Sequence, residues 1–312
     1  MKDFLENKVK STIFRDIAIN KKGCAVAVGG FDGIHLGHRA MLSRLVSEAR
    51  ERGLFSVVFT FDTDDSPKIG AKSLASSEKK LEIFKSLGID AVYSVGFSEL
   101  KDITAEDFVE HLLYNALGAK LIVCGYDFRF GRDRIGDVNL IRSMLTDRGV
   151  TVMTEAAVEI EGEPISSTKI RRLISEGYVR EANLLLGRSF SFKGEVVHGK
   201  KLGRTIGFPT LNQIYPKSLS PLKFGVYAVE CVIDGQRFGG IANFGVKPTV
   251  GENDPVCETH IFDFEGDCYG KTIEILFVDF IREETRFSSL DELKKQIEKD
   301  EKIAKTLLER SN

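Results

Sequence analysis

GGFDGIHLGHRAML, residues 29–42, is the stretch from which the fold is read. The apolar run CAVAV at 24–28 leads into it, and an amphipathic helical pattern leads out. A strand, a glycine-rich turn and a helix N-terminus therefore meet here, with His35 and His38 three residues apart where the helix starts. The unpaired N–H groups of a first helical turn attract anions. Glycines let the backbone approach a phosphate closely. The residues describe a phosphate cradle with two imidazoles over it.

Outward from this stretch, residues 23–154 alternate between strand and helix patterns. Strands are expected at 23–29, 54–61, 90–96, 119–124 and 149–154, and helices at 38–52, 76–88, 104–117 and 136–148. Near-continuous apolar strands separated by amphipathic helices predict a Rossmann-like α/β domain with a parallel sheet covered on both faces. Ligands in such sheets sit beyond the carboxyl ends of the strands, where 29–38, 62–70 and 125–136 fall. A further helix is expected at about 167–186. From 190 on, short strands with Gly, Asp and Asn turns predict an antiparallel β-barrel, closed by a charged helix at 289–310. Two domains, 1–186 and 187–312, are expected, and 312 residues suffice for two full cores.

Composition narrows the function classes. The net charge of −2 marks no nucleic-acid or membrane surface. No run approaches the ~18 apolar residues of a membrane span, and MKDFLENKVKSTIF carries no apolar stretch followed by a cleavage site, so the expected location is the cytoplasm. Cysteines 24, 124, 231, 257 and 268 form no CxxC pair or zinc-ligand spacing and read as buried thiols. GEVVHGKK at 194–201 has Lys201 where a Walker A loop needs Ser or Thr, and GDCYGKT at 266–272 is one residue short; neither precedes a helix.

Two motifs carry the first site. HLGH at 35–38 resembles the HxGH signature of the nucleotidyltransferase superfamily, and ISSTKIR at 165–171 resembles its second signature. In adenylyl transfer to a phosphate nucleophile the acceptor is already ionised and no general base is required. The site must hold and neutralise charge, the role expected of His35, His38, the helix N-terminus, Arg171 and Mg²⁺. Gly30, Phe31, Ser167 and Thr168 are expected to contact the nucleotide. GYDFRFGRDRIGD at 125–137 interleaves aromatic and basic residues and suits an aromatic, anionic ligand: Asp127, Phe128 and Arg129 line it, with Phe130, Arg132 or Arg134 as further stacking or charged groups. A surface loop with core phenylalanines is the plainer alternative.

A second site is expected in GRTIGFPTLN at 203–212. Thr210 and Asn212 are two apart and share a face in extended chain, with oxygen ligands that suit Mg²⁺. Gly199, Gly203 and Gly207 permit backbone contacts to phosphates. Glu258, in CETHIFDF, suits the role of base for a hydroxyl nucleophile, although a solvated strand carboxylate is the commoner occurrence.

Taken together, HLGH, DFRFG, ISSTKIR, GRTIGFPTLN, NFGVKPT, ETHIFDF and REETRF, in this order along nearly the whole chain, resemble the bacterial bifunctional riboflavin kinase/FAD synthetase family. The resemblance implies an N-terminal FMN adenylyltransferase making FAD from FMN and ATP, and a C-terminal flavokinase phosphorylating riboflavin to FMN. It implies that Thr210 and Asn212 hold Mg²⁺ and ATP phosphates with Thr205, that Glu258 deprotonates the terminal ribityl hydroxyl, and that Arg282 lies near flavin or nucleotide. Two departures stand out. The family's Pro-His-Pro segment is replaced by FDTDDSPKIG at 61–70, and Leu211 stands where Ala is commoner. The first leaves open a kinase with weakened or lost adenylyl transfer; a non-catalytic flavin- or nucleotide-binding regulator is the other alternative. Partners are expected to be small molecules; the oligomeric state is not legible.

Overall fold

The computed structural model describes residues 9–14, 23–61, 72–199, 203, 206–246 and 254–310. Contacts divide it into two compact units: one up to Ser166, the other from Ser167 onward together with Lys72–Ala75.

In the first unit β2 (Cys24–Val28) is central. It pairs in parallel with β3 (Phe55–Phe61) on one side and β5 (Ala119–Gly125) on the other. β4 (Ala91–Val95) follows β3, and β6 (Thr151–Glu155) follows β5, both parallel. Strand order thus reverses at β2, and the crevice beyond its carboxyl end is the topological switch point where ligands bind. An edge strand, β1 (Val9–Ile13), adds antiparallel to β4, which the expected all-parallel sheet did not include.

Every residue of CAVAV is buried, as a strand covered on both faces requires. Cys24, Val26 and Val28 pack one way, with Val57, Phe59, Ile122 and Leu112. Ala25 and Ala27 pack the other way, with Val58, Val123 and the Met41–Leu42–Leu45–Val46–Ala49 stripe of α1 (Leu36–Glu51). Burying each leucine of that stripe contributes about 1.5–3 kcal/mol. α2 (Ser77–Ser86), capped by Ser76, covers the same side. The expected helix at 104–117 opens as a short turn, Ala105–Asp107, and continues as a π-helix, Phe108–Ala116; α3 (Val138–Leu145) follows the DFRFG loop. A small hairpin, β7 (Glu159–Ile160) and β8 (Glu163–Pro164), ends the unit.

The single helix expected at 167–186 is two: α4 (Ser167–Glu176) and α5 (Val179–Leu186). Gly177, at φ +91°, terminates α4. Its N–H donates to the Ile174 carbonyl and that of Tyr178 to Leu173, which is the paired C-terminal bonding that only a left-handed residue permits cheaply.

In the second unit β9 (Phe190–Glu195), β10 (Leu211–Ile214), β11 (Gly225–Ile233), β12 (Gln236–Val246), β13 (Pro255–Ile261) and β14 (Thr272–Arg282) form an antiparallel sheet in the order β10-β13-β12-β11-β14-β9. Register shifts between β11 and β14 help curl it. Its two edges approach each other: Val197 N–H donates to the Asn212 carbonyl at 2.8 Å, and buried Gln213 donates across to the carbonyls of Gly194 (2.6 Å) and Ile273 (2.9 Å). The interior is filled by Phe190, Tyr227, Phe244 and Phe277. The terminal helix, α6 (Leu290–Glu309), starts at the Ser289 cap as expected.

Candidate functional site

The turn after β2 is built from residues held in unusual conformations. Phe31 (φ +46°) and Ile34 (φ +44°) are left-handed, and both are fully buried. Such backbone costs about 1–3 kcal/mol per residue, offset here by apolar burial. The strain delivers His35 to the cap of α1. Its Nδ1 accepts the His38 N–H at 3.4 Å, which places the His35 proton on Nε2. The two imidazoles stack, centroids 3.7 Å apart and planes 18° from parallel, and Phe31 meets the His38 ring edge-on. A Cβ at Gly37 would lie 3.2 Å from His35 Cε1, so a side chain there would press on the stacked ring. Burial first, then the neighbouring His35 and Lys80, hold the pKa of His38 well below its ordinary value. Burial therefore favours the neutral imidazole of His38 in the free protein.

Sequence reasoning missed Lys80, which sits behind this turn. Its side chain is 4 % exposed, and its ammonium donates to the Gly30 carbonyl (3.1 Å), the Phe61 carbonyl (3.3 Å) and the Thr60 hydroxyl (3.4 Å).

β5 neighbours β2, so the DFRFG loop opens at the same end of the sheet. Asp127 and Arg129 are exposed and Phe128 is half-buried. Phe130 packs into the core against Phe108 and stacks under Phe128, so of the two rings Phe128 is the one that remains partly open. Arg129 pairs with Asp137 at 2.8 Å, while Asp137 caps α3 through the N–H groups of Asn139 and Leu140. Arg132 and Arg134 are exposed. Ser167–Arg171 of ISSTKIR form the first turns of α4, which the contacts assign to the second unit; there Arg171 donates from Nε to the Lys72 carbonyl at 3.0 Å. The 62–70 stretch lies outside the described residues.

In the second unit the register settles which residues meet. Asn212 on β10 lies opposite Glu258 on β13, and Glu258 lies opposite Asn243 on β12. Asn212, Glu258 and Asn243 therefore form a row on one face of the sheet, opposite the face of buried Gln213, Cys257, Thr259 and Phe244; Glu258 and Asn243 are half-buried, and Asn212 is itself buried. A Cβ at Gly199 would come within 2.5–2.9 Å of the Asn212 amide, and one at Gly203 would lie 2.1 Å from the Phe208 carbonyl oxygen and 3.6 Å from Thr210 Oγ1. Glycine is a steric requirement at 203, where the obstacle is backbone, whereas a side chain at 199 would displace the Asn212 amide; Gly207 adds a left-handed turn at φ +86°. His260 Nδ1 bonds the Pro209 carbonyl at 2.8 Å and fixes the approach to Thr210. Thr205 and the Lys247–Pro248–Thr249 part of NFGVKPT lie outside the described residues.

Two further residues went unread in the sequence. Asn243 donates from Nδ2 to Glu284 Oε1 at 3.1 Å, and Glu284 occupies the space that a Cβ on Gly245 would take. Arg282, expected beside a ligand, is clasped by the terminal helix. Its Nε and Nη2 clasp the carboxylate of buried Asp300 at 2.8–3.0 Å, and its Nη1 donates to the Glu283 carbonyl.

The neutral oxygens of Thr210 and Asn212, packed against glycines, fit a hard cation that keeps most of its ligands from water and nucleotide phosphates, as Mg²⁺ does.

Comparison with known proteins agrees with both halves. A family model described as FAD synthetase matches residues 17–169, and one described as riboflavin kinase matches 186–308. The bifunctional riboflavin kinase/FMN adenylyltransferase of Escherichia coli strain K12 is 39 % identical over 295 residues, covering 91 % of this chain and 93 % of that protein. The Pseudomonas fluorescens protein of the same name is 37 % identical over 292 residues, covering 92 % and 93 %. The chain belongs to the bifunctional riboflavin kinase/FMN adenylyltransferase family. It is an enzyme of both activities, and the resemblance drawn from its motifs holds.

A crystal structure of a Streptococcus pneumoniae protein described as a macrolide-efflux protein shares the fold of this bifunctional enzyme, with a TM-score of 0.82 and 34 % identity over 93 % of this chain and 96 % of that one. Among the described residues of the bifunctional enzyme, no helix is long and apolar enough to cross a membrane.

Proposed function

We propose that the two activities use separate residue sets, adenylyl transfer in residues 1–186 and phosphoryl transfer in residues 187–312. In the first, a phosphate oxygen of FMN attacks the α-phosphorus of ATP, and pyrophosphate leaves. The α1 N-terminus with Gly30, Phe31, His35 and His38 binds the triphosphate, and Ser167, Thr168 and Arg171 complete the nucleotide contacts. Asp127, Phe128 and Arg129 receive the flavin. No base is needed, which suits imidazoles that hydrogen-bond phosphate and do not have to accept a proton.

In the second, Glu258 takes the proton of the terminal ribityl hydroxyl as its oxygen attacks the γ-phosphorus of ATP, releasing ADP. Gly199, Gly203, Thr205 and Gly207 line the phosphates, and Thr210 and Asn212 hold Mg²⁺, which neutralises phosphate charge when bound. Arg282 supports the flavin end through its hold on α6. We place the enzyme in the cytoplasm, where ATP and riboflavin meet.

The observation that carries this division is the row Asn212–Glu258–Asn243, which sets a carboxylate directly beside a metal-suited oxygen ligand. Incubation with riboflavin, ATP and Mg²⁺ followed by chromatography tests it. FMN together with FAD is expected; FMN alone would mean that adenylyl transfer is lost, and unchanged riboflavin would leave only binding.

A further inference from the structure

Lys80 is a buried cation that the proposed chemistry does not use. Full burial of an ammonium is costly unless oxygens surround it, and three of the described residues supply one each. Two of them, the Thr60 hydroxyl and the Phe61 carbonyl, lie at the carboxyl end of β3. The third is the carbonyl of Gly30, just beyond β2. The Thr60 hydroxyl also donates to that carbonyl, at 3.2 Å. The two donors thus converge on one backbone oxygen from beneath the turn.

The consequence follows from peptide geometry. In a planar trans peptide the C=O and the following N–H point in opposite directions. A Gly30 carbonyl drawn inward onto Lys80 turns the N–H of Phe31 outward. On that outer side Gly30 is exposed, and a Cβ built on it meets nothing within 4 Å. The left-handed Phe31 that follows is a conformation the chain would not adopt unaided. The depressed pKa of His38, to which Lys80 contributes, agrees with an ammonium close behind the cradle.

We propose that Lys80 is a positioning residue of the adenylyltransferase: seated on the Gly30 carbonyl with Thr60, it fixes the turn so that the Phe31 N–H faces the crevice and donates to the triphosphate of ATP. Lys80 itself touches no substrate; it acts through the backbone. The proposal rests on the assignment of this turn to adenylyl transfer.

The test supplies FMN directly, so that FAD formation is read without the kinase step. Removing an oriented donor from a charge-stabilising site typically costs 10²–10³ in rate. Lys80→Met is expected to lower kcat/KM for ATP on the order of 100-fold, with KM for ATP raised and KM for FMN unchanged. A variant that is merely less folded loses kcat with both KM values intact, and that result, or a kcat/KM for ATP within threefold of the parent, overturns the proposal. Should Lys80→Met fail to fold, the near-isosteric Thr60→Val decides. Loss of its bond to Gly30 is expected to raise KM for ATP several-fold, and an unchanged value overturns the proposal. His38→Ala, run alongside, separates the two failures. If it too leaves FAD formation intact, the placement of the site is wrong and the role of Lys80 falls with it; if it abolishes FAD formation while Lys80→Met does not change it, only the Lys80 inference fails.

Discussion

Asn212 is 5 % exposed and has a glycine, not a side chain, against its amide. That contact makes a sharp prediction. A methyl at Gly199 would stand 2.5 Å from Nδ2, closer than Cβ contacts tolerate, so the Asn212 amide must leave the position it holds. Gly199→Ala is expected to lower FMN formation more than tenfold, while FAD formation from supplied FMN stays within twofold. Parallel chromatographic assays check it, and equal losses in both would refute the placement of Asn212 in the kinase site. Cys24 makes a second prediction at this scale. Burial pushes its thiol up to about 12 from an ordinary 9.0, and its Sγ–H donates to the Leu117 carbonyl at 3.1 Å. Between those two pH values the unfolded chain releases a proton that the native one keeps, so native stability falls as pH rises through the window. The loss approaches about 1.4 kcal/mol per pH unit per such thiol. Urea midpoints are expected to drop from pH 8.5 to 10.5, and Cys24→Ala to flatten the slope; a midpoint that rose over this range would contradict the assignment.

At the scale of elements, a buried acid adds to the apolar packing that holds α6 on the sheet. Asp300 is 1 % exposed and clasps Arg282 from β14, while Gln296 donates to the same carboxylate at 2.9 Å. Removing one partner of a fully buried pair costs about 3–5 kcal/mol; Arg282 is 22 % exposed and can reach water, so the cost here falls below that range. Asp300→Ala is therefore expected to lower the midpoint of the β-barrel unit's unfolding clearly, seen by circular dichroism. A change smaller than that of an exposed helix substitution would show that the clasp is not structural. The same helix shows what could have been read earlier. Ile297, Ala304 and Leu308 form its apolar stripe, and Asp300 falls on that stripe between them. An acid on an apolar stripe is a legible sign of a buried partner. Likewise Gly177 after Glu176 could have divided the long helix expected at 167–186. The strands of the α/β unit were legible because CAVAV and its neighbours are apolar on both faces. Lys80 was not, since a lysine in the first turn of a helix looks like any solvated charge until strands β2 and β3 are set beside it. Glu284 was hidden for the same reason: only the curl of the sheet brings it to Asn243 and Gly245.

At the scale of the whole molecule, the two chemistries differ in what they ask of a protein. An alcohol must lose a proton to become a nucleophile; the phosphate of FMN already has. Glu258 stands in one compact unit, and the paired imidazoles with Lys80 stand in the other. Under the proposed division, the base and the paired imidazoles would each serve the chemistry that needs them. His38→Ala is accordingly expected to reduce FAD formation at least 100-fold and to leave conversion of riboflavin to FMN within twofold. Glu258→Gln keeps the shape but loses the proton acceptor. Because general-base catalysis contributes about 10²–10⁴, FMN formation should fall by that order while supplied FMN is still converted to FAD at the parent rate. The crossed outcome follows only if the product of one site is a diffusible or transferred substrate of the other, with no residue shared between them. A folded variant in which either substitution removed both activities would require one common site, and would overturn the division.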